Sequence, residues 1–280
     1  FSVVEKPFTE KAKINYKKLY EIAYIQQRLG DDLVDLEVEY VERIIEKIKK
    51  DKQPKHIKEP ELLLWEGVKD KALKGRRTGN GITGLGDMLA ALNLRYDSEE
   101  GLNTVYKVMK AKMGAELDCS IDLAITRGSF PEWNGLKEYA VYISPEGKKQ
   151  FHGENEFYSM LAKEFPGQVL RMFDYGRRNV NWSTIAPTGT VSLMTQTTSG
   201  CEPMFLPFYM RRKKVNPSDG NIRVDFIDDN GDCWQEFPVL HPKFKDWCLL
   251  VRDGEPIDDL DKDDLQILLE KSPWYGSTAN

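Results

Sequence analysis

Three hydroxyls, a proline and a glycine within seven residues mark the part of this sequence that could do chemistry. Ala186-Pro187-Thr188-Gly189-Thr190-Val191-Ser192 gathers Thr188, Thr190 and Ser192 around one turn. Pro187 fixes a backbone angle and gives up a donor. Gly189 permits angles that other residues avoid and lets a ligand approach the main chain. Before the turn, Val180, Trp182, Thr184 and Ile185 are β-formers and predict a short strand. From Val191 a helix can start, and the first amides of a helix point outward without intrahelical partners. Strand, hydroxyl-rich turn and helix N-terminus together make a cradle for an anion, most often phosphate. The cradle has no lysine of its own and no Gly-Lys-Ser/Thr, which excludes a Walker-type NTPase loop.

Other chemistry-bearing residues are more dispersed. Arg76 to Asp87 carries Gly79-x-Gly81-x-x-Gly84, which fits a dinucleotide fingerprint, but no β-rich segment precedes it. Its glycines are therefore read as allowing a turn and a helix to pack closely. Arg211-Arg212-Lys213-Lys214 reads as a solvated face that, beside a phosphate cradle, could also attract an anion. Cys119, Cys201, Cys233 and Cys248 show no Cys-x-x-Cys or Cys/His spacing, so no structural zinc site is expected. Their thiols are expected to be reduced. His56, His152 and His241 are isolated and read as surface or packing residues.

These residues must be positioned by a sizeable core, which 280 residues with 40% hydrophobic and 30% charged composition can supply. A net charge of -5 disfavours nucleic-acid binding. There is no apolar run of transmembrane length and no signal peptide, which points to the cytoplasm. Periodicity predicts a helix over 14–36 with Leu19, Ile22, Ala23, Gln26, Leu29, Leu33 and Leu36 on its apolar face. It predicts a second helix over 38–50 with Val41, Ile44, Ile45 and Ile48 on one face, a polar connection over 51–60 and a helix over 61–74. A helix capped by Asp97 or Ser98 runs to about Arg127, with Leu102, Val105, Val108, Met109, Met113, Leu117, Ile121 and Ile125 as its stripe. Residues 136–153 read as irregular with one short strand, 155–164 and 167–175 as helices. Asn230-Gly231 marks a hairpin turn, and helices close the sequence over 242–251 and 261–270. There is no internal repeat.

The central stretch resembles the catalytic α chain of ribonucleotide reductases. The resemblance rests on Trp182-Ser-Thr-Ile-Ala186-Pro-Thr-Gly-Thr-Val-Ser192 and Ser199-Gly-Cys-Glu-Pro203. It extends to the Arg76–Asp87 block, Tyr96-Asp-Ser-Glu-Glu100, Arg127-Gly-Ser-Phe-Pro131, Tyr209-Met-Arg-Arg212 and Ser272 to Ala279. Ala-Pro-Thr-Gly-Thr is most similar to the adenosylcobalamin-dependent class II branch, with the class I large subunit as the alternative. The resemblance implies a helix-rich α/β fold, a fragment of the family's ten-stranded α/β barrel. Residues 1–175 would be its helical part and 176–280 its phosphate-loop and hairpin part. It implies that Ala186, Pro187, Thr188, Gly189, Thr190, Val191 and Ser192 hold the phosphates of a ribonucleoside di- or triphosphate. Glu202, Arg211 and Arg212 would support them. The family forms deoxyribonucleotides by thiyl-radical chemistry.

The family's finger loop, Asn-x-Cys-x-Glu, has no match here, nor does its redox cysteine pair. No catalytic residue is therefore assigned within this chain, and Cys201 is read as packing. Neither Phe1 nor Asn280 reads as a domain terminus, which suggests a piece of a longer polypeptide. Adenosylcobalamin is implied as cofactor of the complete enzyme, with none held by this piece alone. The remaining half of the chain, a second copy or a radical-generating subunit are the implied partners. Two other readings compete: a flavodoxin-like FMN carrier, and a non-catalytic split fragment acting with a companion chain.

Overall fold

The computed structural model describes residues 1–216, 222–257 and 260–277 of the chain. The end of the Ser272–Ala279 block, 278–279, lies outside them. The chain divides into two interleaved units. The first comprises 1–14, 82–105 and 186–280, the second 15–81 and 106–185. Among the described residues, no helix is long and apolar enough to cross a membrane.

The second unit is built on long helices. Where two helices were expected, α1 runs unbroken over Tyr16–Lys50. Asn15 caps it, its side chain accepting from the Lys18 amide at 2.9 Å. The connection is only 51–54, because α2 (Lys55–Gly75) starts five residues before Pro60 and carries that proline inside it. Lys58 Nζ reaches back to the carbonyls of Lys49 and Asp51, at 2.9 Å each, and satisfies the frayed end of α1.

The buried face of α1 follows the expected apolar positions at Ala23, Val41, Ile45 and Ile48 and departs from them elsewhere in its first half. Ile22, Leu29, Leu33 and Leu36 are exposed, while Ala23, Gln27, Asp31, Val34, Val41, Ile45 and Ile48 are buried. Helix α4 (Glu99–Arg127) matches its expected bounds, and Ser98 Oγ accepts from the Gly101 amide at its start. Its stripe is buried in the middle at Val108, Leu117 and Ile121 and exposed at both ends, Leu102 and Ile125. The expected short strand forms as β3 (Tyr139–Ile143) and pairs antiparallel with β4 (Lys149–Gly153), a strand the irregular sequence does not announce. Helices α5 (Glu156–Glu164) and α6 (Pro166–Tyr175) follow. Leu117, Ile121, Tyr139, Leu161, Phe165, Val169, Met172 and Trp182 form this unit's core.

Two sequence stretches meet at the edge of that core. The expected strand over 180–185 does not form a regular ladder. An isolated parallel bridge pairs Asn80 with Ser183, the Asn80 amide donating to Trp182 O at 3.0 Å and the Thr184 amide to Asn80 O at 3.1 Å. Arg177, 2% exposed, fixes the approach to this segment. It donates to Glu138 Oε2 at 2.5 Å and Oε1 at 2.8 Å, and to the Asn179 and Val180 carbonyls. The rings of Trp133, Trp182 and Phe130 lie 4.8–5.4 Å from its guanidinium carbon.

The first unit holds β1 (Val4–Glu5) paired with β2 (Lys13–Ile14), α3 (Leu85–Ala91) and α7 (Gly189–Thr195). It also holds a three-stranded antiparallel sheet in the order β5-β7-β6: β5 (Phe208–Val215), β6 (Phe226–Ile227) and β7 (Cys233–Leu240). The turn at Asn230-Gly231 forms as expected. Gly231 has φ +82°, and Asp228 Oδ1 accepts the Asn230 and Asp232 amides. Helices α8 (Pro242–Val251) and α9 (Lys262–Lys271) cover a core of Met204, Phe208, Phe244, Trp247, Cys248, Ile257, Leu265 and Trp274. The α/β, helix-rich character is as expected, but the three small sheets formed by the described residues do not close into a barrel.

Candidate functional site

The cradle forms at the start of α7. Its first internal bond is from the Ser192 amide to Thr188 O, at 2.7 Å. The amides of Gly189, Thr190 and Val191 precede it and have no intrahelical acceptor. Gly189 does not use a left-handed angle. It opens the helix, and the space where its side chain would stand is empty, so the main chain is approachable from outside. Left-handed residues close the motif instead: Gln196 at φ +53° ends α7, and Gly200 has φ +44°.

The three hydroxyls divide by role. Thr188 Oγ1 accepts from the Gly200 amide at 2.7 Å. Ser192 Oγ, in a buried residue, donates to Gly189 O at 2.7 Å and lies 3.0 Å from Ser199 Oγ. Both therefore hold the loop to 199–200. Thr190 is exposed on the first turn, and its side chain makes no hydrogen bond to the described residues. Ala186 and Pro187 are exposed at the entrance, as is Val191 on the first turn.

The expected supporting residues lie apart in function. Glu202 is exposed, with its carboxylate against Gly200: a β-carbon there would fall 2.7 Å from Glu202 Oε2. Arg212 Nε is paired with Glu236 Oε1 at 2.7 Å, and its guanidinium lies 4.4 Å from the Phe226 ring centre. Arg211, exposed, stands opposite Phe237 in the β5-β7 ladder.

Residues 83–87, which the sequence reading assigned to close packing, clamp the far side of the cradle. Thr83 Oγ1 and the Gly84 amide both donate to Thr198 O, at 2.8 Å each. The Leu85 amide donates to Gly200 O at 3.4 Å, and the Thr198 amide donates to Asp87 Oδ2 at 2.8 Å. At Gly86 an added β-carbon would lie 3.0 Å from Pro203 Cα and 3.2 Å from Glu202 O. Both are main-chain atoms, so Gly86→Ala is expected to destabilise the protein by about 1–3 kcal/mol, the usual cost of overpacking. Thermal unfolding checks this; an unchanged midpoint would mean that the clamp yields.

A cavity of about 590 Å³ adjoins the cradle, lined in part by Thr197, Thr198, Ser199, Phe205 and His241. His241 is not a surface histidine. It caps α8, its Nδ1 accepting from the Lys243 amide at 3.3 Å, and that nitrogen stands 4.0 Å from Asp87 Oδ1. Burial pushes the Asp87 carboxyl up against the opposing pull of His241, and burial pushes the imidazole down against Asp87. Asp87 was legible only as the acid after Gly84-x-Gly86; nothing local pairs it with Thr198 or His241.

Cys119 and Cys248 are fully buried, and burial pushes both thiols up to about 12. Cys201 and Cys233 are half-buried, and the Cys201 carbonyl accepts from the Tyr96 hydroxyl. In the second unit, carboxylate oxygens of Asp31, Asp32 and Asp35 converge within 4.8 Å. Arg76, Arg127 and Arg178 stand among them as counter-charges.

Comparison with known proteins supplies the family. A model of the ribonucleotide reductase barrel domain matches residues 3–228. The chain is 28% identical over 199 residues to a vitamin B12-dependent ribonucleoside-diphosphate reductase of Mycobacterium tuberculosis, covering 71% of this chain and 20% of that protein. It is 27% identical over 199 residues, 71% of this chain and 19% of the relative, to a reductase of the same name from Thermoplasma acidophilum. It is 26% identical over 212 residues to a ribonucleoside-diphosphate reductase subunit alpha of Chlamydia pneumoniae, covering 74% of this chain and 19% of that protein. The chain thus spans about a fifth of the length of the curated relatives it matches. With that match running through both glycine-bearing stretches and the cradle, the chain belongs to the ribonucleotide reductase barrel-domain family.

Proposed function

We propose that this chain supplies the substrate-phosphate loop of a ribonucleotide reductase catalytic subunit, as part of one barrel domain. Residues 186–192 would receive the phosphates of a ribonucleoside di- or triphosphate. The observation that carries this reading is the set of open amides at Gly189, Thr190 and Val191 beside the free Thr190 hydroxyl. Thr188 and Ser192 would keep those donors in place through Gly200 and Ser199. Large apolar side chains around the loop, Val191, Leu193, Met194, Phe205 and Leu206, are 44–84% exposed. Such a face suits coverage by the remaining half of a barrel, whether in the same polypeptide or in a companion chain. A second copy or a radical-generating subunit would complete the assembly, in the cytoplasm. The flavodoxin-like alternative draws no support from the family match.

Reduction of the ribose would then rest on cysteines outside this chain. Neither Cys119 nor Cys248 offers a ready thiolate. The names of relatives support adenosylcobalamin as the complete enzyme's cofactor. His241, the imidazole beside the cradle, is engaged as a helix cap and against Asp87, so we assign it no role toward that cofactor. We place the corrinoid with the rest of the enzyme and route no step through it.

The test is kinetic. In the complete reductase, or with the missing half supplied, Thr190→Ala and Ser192→Ala are each expected to raise substrate KM. For Thr190→Ala, loss of a charge-assisted hydrogen bond of about 1.5–3 kcal/mol corresponds to roughly 10- to 150-fold; Ser192→Ala acts by loosening the loop at Gly189 and Ser199, and its rise is expected to be smaller. Unchanged KM in both variants would remove the cradle from the substrate site.

A further inference from the structure

We propose that Asp87 is the positioning residue of the cradle, acting through the Thr198 amide on the loop that holds the phosphates. The inference rests on the phosphate-loop reading above. Asp87 lies in α3 among Leu85, Met88, Leu89, Ala90 and Ala91, all buried, and is itself 0% exposed. Its Oδ2 accepts the Thr198 amide at 2.8 Å, the shortest bond it makes, while the buried Trp274 indole also faces the carboxylate, with Oδ1 left outside hydrogen-bond geometry. The nearby His241 Nδ1 is 4.0 Å away and already accepts from Lys243. A buried carboxyl with one oxygen unsatisfied weakens a core that an apolar side chain would fill at less cost. Apolar packing alone therefore does not explain an acid here; of its polar neighbours, only Thr198 lies on the loop of the cradle.

That bond completes a three-way hold on one peptide segment. The Thr198 carbonyl is pinned by Thr83 Oγ1 and the Gly84 amide, and its amide by Asp87. With both ends fixed, the next two residues are set in direction. Ser199 Oγ meets Ser192 Oγ at 3.0 Å, and the Gly200 amide donates to Thr188 Oγ1 at 2.7 Å. Thr188 and Ser192 bracket the open amides of Gly189, Thr190 and Val191. Asp87, fully buried, does not itself touch a ligand in the cradle. It sets the geometry of the groups that do, where small displacements weaken binding.

The experiment compares Asp87→Leu, which keeps apolar bulk and removes the acceptor, with Asp87→Asn, which keeps an oxygen for Thr198. Both are measured in the complete reductase alongside Thr190→Ala and Ser192→Ala. For Asp87→Leu, KM is expected to rise about tenfold or more with kcat within about threefold; for Asp87→Asn, KM is expected to stay within about twofold of the parent. Hydrogen exchange should show the Thr198 and Gly200 amides less protected in Asp87→Leu, with the rest of α3 unchanged. If Asp87→Leu does not fold, Asp87→Ser, whose hydroxyl is too short to reach Thr198, takes its place. If the two cradle variants raise KM and Asp87→Leu does not, the positioning role is overturned while the phosphate loop stands. Equal losses of kcat and stability in the Leu and Asn variants would mark Asp87 as purely structural and also overturn it. If no variant moves KM, the phosphate-loop reading itself fails.

Discussion

Replacing Asp31 by alanine is expected to destabilise the protein by about 3–5 kcal/mol, because it leaves buried cations without their acid. Asp31 is fully buried on α1. Its Oδ1 accepts from Arg76 Nε at 2.8 Å and from Asn179 Nδ2 at 2.9 Å. Its Oδ2 lies 3.2 Å from Arg127 Nη1 and 3.4 Å from Arg178 Nε. Arg76 is only 3% exposed, so it cannot turn to water when its partner goes; Asp35, at 2.7 Å from Nη1, remains as a single half-exposed acid. Burial pushes the Asp31 carboxyl up, but the hydrogen bond and charge of Arg76, with Asn179 and Arg178, outweigh it and hold the group below its ordinary value. A depressed carboxylate stabilises the fold above its unfolded pKa and loses that contribution as pH falls through the folded pKa. The difference between parent and Asp31→Ala should therefore be largest at neutral pH and shrink in acid. Urea unfolding across that range measures it. A loss below about 1 kcal/mol at neutral pH would place the cluster among ordinary surface ion pairs.

The same cluster explains where the sequence was unreadable. Hydrophobic periodicity assigns the apolar stripe of α1 to the core, yet Ile22, Leu29, Leu33 and Leu36 are exposed. The face that is buried carries Gln27 and Asp31. Gln27 Nε2 donates to Thr78 Oγ1 and Asn179 Oδ1, and its Oε1 accepts from Asn80 Nδ2 at 2.5 Å. Those partners lie 51 to 152 residues away in sequence, so no local window reveals that the polar face is satisfied. Caps and turns are local and were legible: Ser98, the Gly231 turn and the ends of α8 fall as expected.

The cradle was legible to the same extent. Its turn followed from Thr188, Gly189 and Thr190, although α7 starts at Gly189, before the expected Val191, and the ordered motifs indicated the family that the later match bears out. The division of labour among its hydroxyls was not legible. Thr188 and Ser192 are committed to Gly200 and Ser199, and only the folded chain brings Thr83, Gly84 and Asp87 behind them. The segment entering the cradle was expected as a strand because β-formers occupy it. Its partner is the backbone at Asn80, a hundred residues earlier, in a stretch poor in β-formers.

That backbone pairing sits on a second buried charge pair, from which a pH dependence of opposite sign follows. Lys112 Nζ donates to Asn80 O at 2.8 Å and to Ser183 Oγ at 2.9 Å, and lies 2.6 Å from Glu116 Oε1. Glu116 is 0% exposed. Burial pushes its carboxyl from 4.5 up to about 7, with Lys112 and Ser183 opposing the rise. A carboxyl with a raised folded pKa is held protonated more firmly in the fold than in the unfolded chain. Its contribution is complete below pH 4.5, is lost as pH rises through about 7 and changes no further above that. The expected loss across this window is about 3 kcal/mol. Glu116→Gln cannot titrate, and it leaves Lys112 its bonds to Asn80 and Ser183. The parent should therefore gain on the variant at the acid end and fall behind it at the alkaline end. Asp31 does not mask this, since its lowered pKa puts its own window on the acid side. Asp87 titrates alike in both proteins, so the difference curve isolates Glu116. Denaturant midpoints of parent and Glu116→Gln, followed from acid to mildly alkaline pH, decide the matter. Parallel curves would mean that Glu116 titrates alike in the folded and unfolded chain, with burial offset by its neighbours at the Asn80–Ser183 bridge.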